Sequence, residues 1–218
     1  MRRAIIFDLD DTLVDQAGAA RTAVVGWAAE HGISGDVEAR WGAVSGQHYQ
    51  RYQRREINFQ EQRRARAREF LGVDASDVEA DALFAGYLKR YEAQWTAFED
   101  AVPTLRRVRD AGLRTVVLTN GDDDHQRLKL DLTGLAAEID LLVSTSTLPA
   151  SKPDPSAYLL TCERAGIAPA EALMVGNSLT HDVLGPLVAG LDAVLLDRDD
   201  AHPEAAVRRI STLHDLSW

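Results

Sequence analysis

Two kinds of hydrophobic spacing divide the chain. Residues 4–7, Ala-Ile-Ile-Phe, form a continuous apolar run with two β-branched members, which predicts a short strand buried on both faces. From Ala17 to about Trp95 the apolar residues recur at three and four, and no convincing strand is present. Val24, Trp27, Ala28 and His31 mark a first helix stopped by Gly32, and Trp41, Val44, His48 and Tyr52 a second. Phe59, Ala67, Phe70 and Leu71 mark a third, stopped by Gly72. Leu83, Phe84, Tyr87, Leu88, Tyr91 and Trp95 form the stripe of a fourth, which reads as packing among four helices rather than as a ligand surface.

Beyond residue 97 the short apolar runs return, now alternating with helices. Pro103 sits at a helix start, Leu105 and Val108 face inward, and Gly112 ends that helix. Strands are predicted at residues 114–119, 139–143, 173–176 and 193–196, with helices at 123–132, from Pro155 to about 166, and at 182–189. This alternation implies right-handed crossovers and a parallel sheet. The expected fold is therefore α/β: a Rossmann-like core of five or more strands from residues 1–15 and 98–218, with a separate all-α domain, residues 16–97, inserted after the first strand. An insert in that position suits a lid, or cap, over the strand tip.

Charge follows the same division. The 218 residues carry a formal charge of −10. The insert, residues 16–97, holds 11 bases and 11 acids, so the remaining 13 bases and 23 acids carry the whole imbalance. That balance argues against nucleic acid as a partner. No apolar run approaches membrane length, and the first strand begins too early for a signal peptide, so a cytoplasmic protein with no membrane partner is expected. The single cysteine, Cys162, excludes an internal disulfide, suits a reducing compartment, and sits in a helical pattern as a small core residue.

The chemistry falls at strand ends. Asp8, Asp10, Asp11 and the hydroxyl of Thr12 follow the first strand at once. Clustered carboxylates at the end of a buried strand repel one another and need solvation or a counter-charge. An oxygen-preferring divalent cation such as Mg²⁺ is one solution. Thr119 and Asn120 follow the second strand, Lys152 lies after the third, and Asn177, Ser178 and Asp182 follow the fourth. In a parallel sheet these ends share one edge. Carboxylates suit a cation, whereas a hydroxyl, an ammonium and helix-start N–H groups suit the oxygens of an anion. Mg²⁺ and a phosphate side by side indicate phosphoryl transfer.

Four segments in order carry a family resemblance: Asp8-Leu-Asp-Asp-Thr12, Leu118-Thr-Asn-Gly121, Lys152-Pro-Asp-Pro155 and Gly176-Asn-Ser-Leu-Thr-His-Asp182. Over its whole length the chain resembles haloacid dehalogenase superfamily hydrolases, and among them phosphatases with a helical cap after the first motif. The resemblance implies that Asp8 is the nucleophile that becomes an aspartyl phosphate and Asp10 the acid and then base. It implies that Thr119 and Asn120 hold phosphate oxygens and that Lys152 offsets charge around nucleophile and phosphate. Mg²⁺ would be held by Asp8, the backbone carbonyl of Asp10, and Asp182. The fourth motif usually reads Gly-Asp where this chain has Asn177; an amide oxygen can still ligate Mg²⁺ or orient a bound water, but without charge.

The expected activity is hydrolysis of a small phosphorylated metabolite, with sugar phosphates and nucleoside monophosphates equally open and the oligomeric state unspecified. A phosphomutase would use the same residues. A dehalogenase of the superfamily would lack an acid two residues after the nucleophile, because a departing halide needs no proton. A non-catalytic phospho-ligand binding protein is the alternative that Asn177 raises. Within the insert, residues 41–68 contain Arg51, Arg54, Arg55, Arg63, Arg64, Arg66 and Arg68, most of which read as a solvated face. One or two are expected to meet an anionic substrate.

Overall fold

The computed structural model describes all residues, Met1–Trp218. The chain divides into two compact units, one of residues 1–15 and 96–218 and the other of residues 16–95.

The first unit is built on a six-stranded parallel sheet. Its strands are β1 (Ala4–Phe7), β2 (Arg114–Thr119), β3 (Leu141–Ser144), β4 (Ala172–Gly176), β5 (Asp192–Leu196) and β6 (Arg209–Ile210), in the order β3-β2-β1-β4-β5-β6. β1 is central, which explains its uninterrupted apolar sequence: all four residues are fully buried. Phe7 lies beside Val117 of β2 and Val175 of β4, so the residues following these strands emerge on one edge. The crossovers are made by α5 (Ala101–Asp110), α6 (Asp123–Leu132), α7 (Pro155–Ala165) and α8 (Gly185–Val188), the helices that follow the four of the other unit. One core cluster includes Ile6, Val116, Leu118, Val143, Tyr158, Cys162 and Met174. Cys162 is buried there, and burial pushes its thiol up to about 11, so it is a packing residue.

Three expectations shift. The third strand starts at Leu141, not at residue 139, because Ala136–Glu138 form a 3₁₀ turn and pairing to β2 begins with the Asp140 N–H on the Thr115 carbonyl at 2.9 Å. The predicted helix over residues 182–189 is instead a π-helical turn, Leu179–Leu184, followed by the single turn of α8. Helix α5 begins at Ala101, two residues ahead of Pro103. β6, only two residues long, has no apolar run that would announce it.

The second unit is all helical: α1 (Gln16–Glu30), α2 (Val37–Gln53), α3 (Phe59–Leu71) and α4 (Asp77–Ala93). Its helix starts follow from local chemistry, since Asn58 with Glu61 and Ser76 with Glu79 form capping boxes. Gly72 takes the left-handed conformation that ends α3. Trp27, Trp41, Phe70 and Tyr87 interlock at its centre, with Trp27 stacked on Phe70 at 5.3 Å and the Trp41 Nε1–H donating to the Tyr87 hydroxyl at 3.2 Å. His31 is not on the inward face; it lies exposed past the end of α1, edge-on to Trp27.

Candidate active site

The β1 ladder continues into the site: the Asp8 N–H donates to the Val175 carbonyl at 2.9 Å, which fixes the backbone of Asp8 against β4. After it the chain turns back sharply, with the N–H groups of Leu13 and Val14 donating to the Leu9 carbonyl at 2.9 and 3.1 Å. Asp11 sits in this turn at φ 60°, a left-handed conformation that Asp tolerates better than most residues. The turn is held from outside by Arg198, which donates to the Thr12 carbonyl at 3.0 Å and grips Asp100 with two hydrogen bonds of 2.8 Å.

Asp8, Lys152 and Asp182 form a buried trio. The Lys152 Nζ lies 2.6 Å from an Asp8 carboxylate oxygen and 2.7 Å from one of Asp182, and all three residues are less than a tenth exposed. Two carboxylates share one ammonium, so the trio is one negative charge in excess when all are ionised. Burial, opposed by Lys152 and reinforced by the nearby Asp182 charge, pushes Asp8 up to about 7. Burial alone would lower Lys152, but Asp182 and Asp8 outweigh it and hold the ammonium well above the usual lysine range.

The backbone around Lys152 is gripped by Asn120, whose amide donates to the Lys152 carbonyl at 2.9 Å and accepts from its N–H at 2.9 Å. The Asn120 side chain, expected on a phosphate, is thus engaged in placing Lys152. Asp182 is seated by the π turn, where the Ser178 N–H donates to its second oxygen at 2.9 Å. Asn177 stands close by, its Oδ1 3.5 Å from the Thr12 hydroxyl, and Thr12 reaches Asp8 at 3.4 Å. The oxygen donors that gather here are two carboxylates and an amide; no third carboxylate, imidazole or thiolate joins them.

Asp10 faces a different set of partners. The Lys129 ammonium donates to its Oδ1, and the Gln126 Nε2 donates to its Oδ2 at 2.9 Å. The same Gln126 nitrogen is 2.8 Å from the Thr119 hydroxyl. Burial would raise Asp10, but Lys129 and then Gln126 outweigh it and hold the carboxyl below its ordinary value. The strand ends therefore bring Asp8, Lys152, Asp182 and Asn177 together, with Asp10 and Thr119 on a second network. Gln126 and Lys129 were not anticipated as site residues. Their signal is faint: a Gln and a Lys three apart on the inward face of α6, with Leu130 beside them, where apolar residues are the norm.

Among the clustered insert arginines, the structure finds acids for several. Arg51 and Arg54 pair with Glu56, Arg64 with Asp77 and Asp81, and Arg68 with Asp77. Arg63 stacks on Phe59, 4.1 Å from its ring centre, and Arg55 sits exposed in a tight turn at φ 61°. Arg66 has no acidic partner. It lies about 6 Å from the ring centres of Trp41 and Tyr49, its Nε is buried without a hydrogen bond, and burial lowers its pKa.

Known proteins share this sequence family and this fold. The haloacid dehalogenase-like hydrolase family matches residues 2–190. Phosphoglycolate phosphatase 1 of Pseudomonas aeruginosa is 29% identical over 98% of this chain and 78% of its own length. A phosphoserine phosphatase of Thermus thermophilus is 37% identical over 109 residues, which is 50% of this chain and 44% of that enzyme. The structure of an L-2-haloacid dehalogenase from Xanthobacter autotrophicus with chloropropionic acid covalently bound superposes with a TM-score of 0.76 at 22% identity, covering 99% of this chain and 96% of that one; at that identity it speaks for the fold alone. A parallel sheet with acids at its central tips is an α/β fold of the kind that places a ligand site at its strand ends. The chain belongs to the haloacid dehalogenase-like hydrolase family and is an enzyme.

Proposed function

We propose that this hydrolase is a Mg²⁺-dependent phosphatase of small phosphorylated metabolites, with residues 1–15 and 96–218 as its catalytic core and the helical insert as a cap that selects the leaving group. The observation that carries the reading is Lys152 shared between Asp8 and Asp182: a nucleophilic carboxylate held in place beside a second carboxylate and a fixed positive charge.

In the proposed reaction an Asp8 oxygen attacks phosphorus as the bond to the ester oxygen breaks, leaving an aspartyl phosphate. The departing oxygen takes its proton from Asp10. Asp10 is held as a carboxylate in the free protein, so that proton enters with a phosphomonoester monoanion and passes to Asp10 beforehand. Water then attacks phosphorus, its proton goes to Asp10, and the bond to Asp8 breaks, releasing phosphate and restoring Asp8. Lys152 holds the Asp8 oxygen, and Thr119 stands ready to donate to a phosphate oxygen. The donor set suits a small hard cation, because it offers oxygens alone and carries excess negative charge. Asp8, Asp182, the backbone carbonyl of Asp10 and Asn177 would hold Mg²⁺, and the ion would offset charge between Asp8 and the phosphate.

The similarity to phosphatases named for phosphoglycolate and phosphoserine supports small phosphorylated acids as substrates. Arg66 fits this, since it lies half-buried against aromatic rings without an acid and could receive a substrate carboxylate. The similarity to (S)-2-haloacid dehalogenase 4A of Burkholderia cepacia, 31% identical over 50% of this chain, favours a second reading, carbon–halogen hydrolysis by Asp8, against which Asp10 and its two donors stand. The deciding experiment is a panel of phosphoglycolate, phosphoserine, sugar phosphates and nucleotides, with and without Mg²⁺, beside 2-chloropropionate. Phosphate release that needs Mg²⁺ and disappears in Asp8→Asn supports the phosphatase. Halide release without phosphate release overturns it.

A further inference from the structure

We infer that Lys129 and Gln126 are positioning residues for the proton-transfer carboxyl of Asp10, an assignment that rests on the acid–base reading of Asp10. α6 opens four residues past the end of β2, and Gln126 and Lys129, three apart, share the face it turns toward the sheet. Each is about 1% exposed. A buried ammonium is strongly unfavourable without a counter-charge, and the carboxylate that meets Lys129 comes from a residue 119 positions earlier in the chain.

The hold is two-sided. Lys129 takes Oδ1 of Asp10 and Gln126 takes Oδ2, so the plane of the carboxyl is fixed and rotation about its last torsion is blocked. Gln126 also reaches the Thr119 hydroxyl, so a single amide nitrogen sets the spacing between the residue that moves the proton and the residue at the β2 tip. Gly121 admits this amide: a Cβ at that position would stand 2.4 Å from the Gln126 Nε2. With its plane fixed, the carboxyl presents its remaining lone pairs in set directions, as proton transfer to and from a substrate oxygen requires.

An ion pair that merely closes the core would look similar, but it would affect all substrates alike. Proton donation matters in proportion to how poor the leaving group is. The test compares kcat/KM for phenyl phosphate and 4-nitrophenyl phosphate in the wild type and in Lys129→Met, Gln126→Met, Lys129→Arg and Asp10→Asn. The positioning role is supported if Lys129→Met and Gln126→Met lose at least about tenfold more on phenyl phosphate than on 4-nitrophenyl phosphate, with Lys129→Arg restoring much of the difference. Equal losses on both substrates, or no loss on either, overturn it. Gln126→Met removes only the amide, so it reports even where Lys129→Met does not fold. A bias in Asp10→Asn without one in the Lys129 and Gln126 variants overturns the positioning role alone. An Asp10→Asn without bias overturns the acid–base reading, and the positioning role with it.

Discussion

A methyl group on Gly176 would stand 2.4 Å from the carboxyl carbon of Asp182. Gly176 is therefore not a flexible joint but a gap at the end of β4 into which the Asp182 side chain folds. Gly176→Ala should push Asp182 off the Lys152 ammonium and lower turnover by at least about tenfold, with a stability loss of about 1–3 kcal/mol from overpacking. Steady-state kinetics and a denaturant titration measure the two effects; unchanged kinetics would mean that Asp182 is not needed where it lies.

Asp8→Asn should abolish phosphate release and yet stabilise the protein. The folded-state value of Asp8 is raised from 3.8 to about 7, so folding favours its protonated form. Its favourable contribution is complete below about pH 4 and is lost as pH rises to about 7, above which the ionised group opposes folding. The asparagine removes that opposition. In chelator, the melting temperature of the variant relative to wild type should climb between pH 4 and pH 7 and level off above it. A difference that does not change with pH would contradict the excess charge of the Asp8–Lys152–Asp182 trio.

Arg66 and Arg64 offer a matched comparison on α3. Arg64 is tied to Asp77 and Asp81 by hydrogen bonds of 2.7 Å, whereas Arg66 has no acid. Arg66→Met should raise KM for a carboxylate-bearing substrate by about tenfold or more, the scale of one charge-assisted hydrogen bond. Arg64→Met should leave KM alone and change only thermal stability. Equal KM values in both variants would return the whole arginine segment to a solvated and packing role.

Asn177→Asp adds a carboxylate to a site that already has one too many for its lysine. Mg²⁺ should bind the variant several-fold more tightly, since one charge interaction at a few ångströms is worth on the order of a few kcal/mol before desolvation offsets it. Without metal, the variant should be less stable than wild type at pH 8, because a further like charge enters the cluster. Calorimetric titration of Mg²⁺ and thermal melting decide the two halves separately. Equal affinities would place residue 177 outside the reach of the ion.

Much of this protein is determined locally. The run at residues 4–7 can only be buried on both faces, and the helix spacing between residues 17 and 95, with its stop at Gly72, follows from side chains a few positions apart. That Asp8, Thr119, Lys152 and Asp182 share one edge was legible because a parallel sheet delivers every strand end to the same side whatever the sequence between them. The tertiary structure decided how those residues pair. Nothing near Lys152 in the chain specifies that it divides itself between Asp8 and Asp182, and nothing near Asp10 specifies Lys129. Asn120, whose position suggested an anion, spends its amide on the backbone of Lys152. The reason is electrostatic: a buried charge must find a partner, that partner is chosen by distance in space, and partners 30 to 144 residues apart leave no periodicity in the sequence.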